Sequence, residues 1–133
     1  MEWQPIKRTS KPHNISELSG QPGVYEADVL VNVEPPVEWW MYFDDPKGHG
    51  PVEHQPRRAG SRTIQVLFSS SESLKTTVGE MDNRIAQANR RYEENDLPRL
   101  VEEDRRRAEV LADYEKGMEQ MRSAADELGP PEE

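Results

Sequence analysis

Few side chains in this sequence have the types and spacing that chemistry requires. His49 and His54 lie among Asp44, Asp45 and Glu53, in a stretch punctuated by Pro46, Gly48, Gly50, Pro51, Pro56 and Gly60. Imidazole and carboxylate groups suit zinc and other divalent metals. The stretch holds no His-x-His or His-x3-His pair, however, and no metal site is assigned. His13 stands apart in a polar segment and adds no ligand. Ser69, Ser70 and Ser71 offer hydroxyls, but nucleophilic catalysis needs a base and an orienting carboxylate on a rigid scaffold. Capping a helix start already accounts for these serines. Neither a nucleophile elbow, a P-loop, a dinucleotide-binding glycine pattern nor an H-E-x-x-H pair occurs. The carboxylate groups Glu93-Glu94 and Glu102-Glu103-Asp104 show no sign of the burial that would raise a pKa. The expectation is no catalytic residue, no cofactor and no enzyme.

Aromatic and basic clusters remain. If Val37 to Phe43 is extended, Trp39 shares a face with Val37, Met41 and Phe43, and Trp40 and Tyr42 point the other way beside Glu38. Trp and Tyr dominate interface hot spots, so Trp40 and Tyr42 are candidate partner-binding residues. The competing reading covers that face with Trp3 and Ile6. Arg90-Arg91 and Arg105-Arg106-Arg107 are interleaved with Glu93, Glu94, Glu102, Glu103 and Glu109 at pairing distance. Net charge is −9, and residues 69–133 carry ten basic and seventeen acidic side chains. That balance points to a solvated, ion-paired helix face and away from direct nucleic-acid binding. It also leaves an alternative function: an acidic inhibitor or DNA mimic that blocks a nucleic-acid-binding enzyme. The arginines interrupt the carboxylate array such mimicry needs.

Composition sets the scale of whatever positions these groups. Leu, Ile, Val and Phe number 24 of 133 residues, which permits only a small core. Residues 1–22 carry Pro5, Pro12, Pro22 and Gly20 without periodicity and read as a polar arm that lies on the domain or stays mobile, residues 1–20 lacking regular structure apart from a turn at Ile15–Leu18. No apolar stretch in them resembles a signal peptide, and no run is long enough to span a membrane. The absence of cysteine fits a reducing cytoplasm. Residues 23–68 read as a small antiparallel sheet of about three strands. Val24 to Val33 alternates, with Tyr25, Ala27, Val29, Val31 and Val33 on one face; Val37 to Phe43 alternates likewise; Thr63 to Phe68 sets Ile64, Val66 and Phe68 together. Residues 44–62 read as a long surface loop.

The strongest pattern lies in residues 69–129. Ser69 with Glu72 resembles a capping box. Leu74, Val78, Met81, Ile85, Ala88 and Tyr92 then repeat at four and three, a heptad seam. Asn95-Asp96-Leu97-Pro98 interrupts it, and a second stripe runs Leu97, Val101, Asp104, Ala108, Leu111, Tyr114, Met118, Met121, Ala125, Leu128 before Gly129-Pro130-Pro131. Residues 130–133 are a tail. The stretch from Asn89 to Arg107 is similar in composition to helical hairpins of bacterial proteins, a resemblance that implies no activity. The fold class expected is α+β: the sheet, then a long coiled-coil-like helical hairpin, favoured over a single rod kinked at Pro98. The hairpin's second arm outruns its first, which makes Tyr114, Met118, Met121 and Leu128 partner-binding candidates. The function expected is a non-enzymatic protein-interaction module, pairing through its helices with a partner protein or a second copy.

Overall fold

The computed structural model describes residues 2–46 and 54–131 as an α+β chain, an antiparallel sheet followed by helices. It divides into two compact units, residues 2–97 and a helical unit from Pro98 onward.

The first unit is built on a sheet ordered β1-β2-β4-β3, with β1 His13–Glu17, β2 Tyr25–Leu30, β3 Arg57–Arg58 and β4 Thr63–Phe68, four strands where the sequence suggests about three, β3 falling within the stretch 44–62 that reads as a loop. The central pair aligns Tyr25 with Phe68 and Leu30 with Thr63. That register puts Ala27, Val29, Ile64 and Val66 on one fully buried face, joined by Val31 and Phe68, as the alternation requires. The opposite face carries a polar chain across all four strands: Ser16 to Glu26, Glu26 to Gln65, and Gln65 to Arg57. Both edges are blunted, β3 by its two exposed arginines and β1 by its polar residues and by a bulge at Asn14, whose φ of 54° is left-handed. Gly20 and Gly23, at φ 79° and 81°, turn the chain from β1 into β2, a conformation other residues rarely adopt.

The first 22 residues depart from the expectation of an irregular arm. They supply β1, and residues before it lie along the sheet and helix. Thr9 N–H donates to Leu30 O, and Asn32 N–H to Lys7 O. Ile6 is a core residue, 2% exposed. The missed signal is weak because β1 is an edge strand with almost no apolar alternation.

Val37 to Phe43 is not the expected strand but part of a helix, α1 (Val37–Asp44). Pro35 and Pro36 preset its entry; Pro36 O accepts from Trp40 N–H, and Glu38 sits in the first turn beside the positive helix end. Period-two alternation would split Trp39 from Trp40. A helix buries both, with Phe43 one turn on, while Val37 and Met41 face out. Trp39 stacks on Phe43 at 5.4 Å, and Trp40 meets both rings edge-on.

Helix α2, Ser71–Asn95, begins one residue later than the sequence suggests: Ser70 is the N-cap and exchanges hydrogen bonds with Ser73. Met81, Ile85, Ala88 and Tyr92 of its seam are buried, and Leu74 and Val78 are half-buried. The expected hairpin places this seam against the second helix. It is instead occupied within the first unit, where α2 packs on α1 and β4. Asp96, in a right-handed helical conformation, separates α2 from α3, Leu97–Leu128.

Candidate interaction surface

Helices α2 and α3 carry stripes of the same spacing with opposite fates. In α2 the stripe is core. In α3, 32 residues long, no residue is buried. Leu111 is 57% exposed, Tyr114 66%, Met121 70% and Leu128 84%, and Met118 also stands open. Gly129, at φ 61°, ends the helix just after this row.

The polar faces of α3 are ion-paired along its first half. Glu102 accepts from Arg105 at 2.6 Å and from Arg106 at 3.2 Å; Arg99 reaches Glu103 and Arg107 reaches Asp104, both at 3.0 Å. Arg105 also bonds Glu109. The Arg105 hydrogen bond holds the Glu102 carboxyl below its ordinary range, and Glu102 in turn raises the Arg105 guanidinium. These i, i+3 and i, i+4 pairs support an isolated helix.

Of the six residues expected to bind a partner, Tyr114, Met118, Met121 and Leu128 lie on this exposed stripe. Trp40 does not qualify as an exposed aromatic, because it is 4% exposed, packed in the α1 cluster with the Arg58 guanidinium over its ring at 4.9 Å. Tyr42 is half-buried, its ring covered by Arg91 at 4.5 Å. Arg91 also donates to Asp45 O at 2.6 Å, tying the end of α1 to α2. The Tyr42 phenol is raised above 10, first by its hydrogen bond to Asp96, then by desolvation. Val110, 69% exposed beside Leu111, widens the stripe; the adjacent Val110-Leu111 pair was its only sequence signal.

His49 and Glu53 fall outside the described residues. Among the described residues no group of three His, Cys, Asp or Glu side chains converges on a metal position. Asp44, Asp45, Pro46, Gln55, Pro56 and Arg84 line a shallow recess. Arg84 is almost wholly buried and pairs with Glu80, one turn back and equally buried, at 3.6 Å. No helix among the described residues is long and apolar enough to cross a membrane. No protein-family model, curated protein or solved structure matches the chain.

Proposed function

We propose that this chain is a non-enzymatic protein-interaction module in which α3 pairs, coiled-coil fashion, with a helix of a partner protein or of a second copy. The observation that carries the reading is the row Leu111, Tyr114, Met118, Met121 and Leu128, open on a helix with no buried residue. Contiguous exposed apolar rows on otherwise charged elements mark association surfaces. The heptad seam of α2 is already occupied, since Met81, Ile85, Ala88 and Tyr92 fill the core of the first unit. The cysteine-free composition is in keeping with a cytoplasmic setting. Charge mimicry is the weaker reading because the densest carboxylate run of α3, Glu102-Glu103-Asp104, is engaged by arginines of the same helix.

The test is the double substitution Met121→Glu with Leu128→Glu, at exposed positions where the fold should tolerate it. Sedimentation equilibrium reads homotypic pairing, and differential capture from host extract reads heterotypic pairing. The substitution should abolish whichever association occurs, and that association should survive high salt, where screened charge mimicry would weaken. A monomeric wild type whose captured proteins are all retained by the double variant contradicts the reading.

A further inference from the structure

We infer that the occupant of the α3 stripe is a second copy of this chain, its α3 laid antiparallel over residues 111–128. The inference rests on the interaction reading above and names its partner, orientation and register. From Leu111 onward the exposed row keeps a strict heptad. Leu111, Met118 and Ala125 hold one core position, and Tyr114, Met121 and Leu128 hold the other. An antiparallel pair sets each of the first kind against one of the second. Leu111 then meets Leu128 of the second copy, Met118 meets Met121, and Tyr114 meets Ala125. The bulkiest core side chain faces the smallest, and every contact occurs twice about a two-fold axis. A parallel pair would stack tyrosine on tyrosine and leave a hole at the alanine layer.

The flanks select the same arrangement. In the antiparallel register Glu115 lies opposite Arg122 of the second copy on one side, again twice. The other side presents only Gly117 and Ala124, which let the backbones approach. In a parallel register Glu115 would face Val110, and Arg122 would face Gly117, with no opposite charge for either. Arg122 is free to make this contact, since its pairing with Glu119 is 3.8 Å long and exposed. The seam is also bounded. Continued toward the N-terminus, its core positions become Arg107 and Asp104, which bond each other at 3.0 Å. Antiparallel overlap carries that polar stretch past the partner's Gly129, where the pairing helix ends. Parallel overlap would bury a layer of like charges in the core, which costs affinity.

Because the chain has no cysteine, placed thiols report the orientation directly. A chain carrying Leu111→Cys and Leu128→Cys should oxidise to a disulfide-linked dimer. Leu111→Cys alone should not, because the two thiols would lie about 26 Å apart along the pair, far beyond disulfide reach. Glu115→Arg alone and Arg122→Glu alone should each weaken dimerisation by about tenfold, measured by sedimentation equilibrium, and the two together should restore it to within about threefold. Crosslinking of Leu111→Cys alone, or charge reversals without effect, overturns the antiparallel register while the interaction reading stands. A wild type that stays monomeric overturns the homotypic partner and leaves only the heterotypic form of that reading.

Discussion

Trp39 donates its indole N–H to the side-chain oxygen of Asn89 at 2.9 Å. The same oxygen accepts Ile6 N–H at 3.0 Å, and the Asn89 amide nitrogen donates to Ile6 O at 2.8 Å. One amide on α2 thereby fixes α1 and the N-terminal segment to the helix that covers the sheet. Trp3 adds a second clasp, its indole N–H on Glu93 at 2.8 Å and its ring 4.5 Å from Tyr92.

Asn89→Ala should therefore cost about 2–3 kcal/mol, because it strands an indole donor and both backbone groups of Ile6. Urea denaturation measures the loss. Hydrogen exchange should show Ile6 N–H losing protection while the β2–β4 amides keep theirs.

The two adjacent tryptophans should behave alike. Both are buried in α1, so Trp39→Ala and Trp40→Ala should each cost roughly 3–5 kcal/mol. Had this segment been a strand with Trp40 outward, only Trp39 would matter. Thermal melts of the two variants discriminate directly.

The Glu80–Arg84 pair is 7% and 5% exposed. Arg84→Met takes the guanidinium at 3.6 Å away from the buried Glu80 carboxylate, so it should destabilise by about 3 kcal/mol. Replacing both with Met should recover most of that loss. A double variant as unstable as the single one would show that packing rather than charge holds the site.

Tyr42 gives the fold an alkaline limit. Its phenol ionises above the ordinary value of 10, chiefly because of its bond to Asp96. A raised acid favours the protonated native form, so this contribution is complete below pH about 10 and fades as pH rises through the native value. Denaturation midpoints followed from pH 9 to 12 should fall less steeply in Tyr42→Phe than in the wild type.

Much of this architecture is legible in the sequence where burial and periodicity agree. β2 and β4 alternate cleanly because each has one face on the core, and α2 and α3 announce themselves by stripes. Val37 to Phe43 misleads because Val-Glu-Trp-Trp-Met-Tyr-Phe also alternates at period two, and only the need to bury neighbouring tryptophans decides for a helix. The N-terminal segment is obscure because main-chain bonds, one buried isoleucine and isolated side-chain contacts of Trp3 and Arg8 hold it, with no periodic apolar row. Asn89 carries no hydrophobic signal at all. The α3 stripe was visible, yet spacing alone does not distinguish a seam consumed by the core, as in α2, from one left open.

The most direct measurement of the central claim is hydrogen exchange of the intact protein at several concentrations, read by mass spectrometry over residues 111–128. If those residues pair with a second copy, their protection should rise with protein concentration, while β2 and β4, protected by the core, stay constant. In Met121→Glu with Leu128→Glu the rise should vanish. Protection of 111–128 that is independent of concentration in the wild type and unchanged in the double variant would contradict pairing with a second copy.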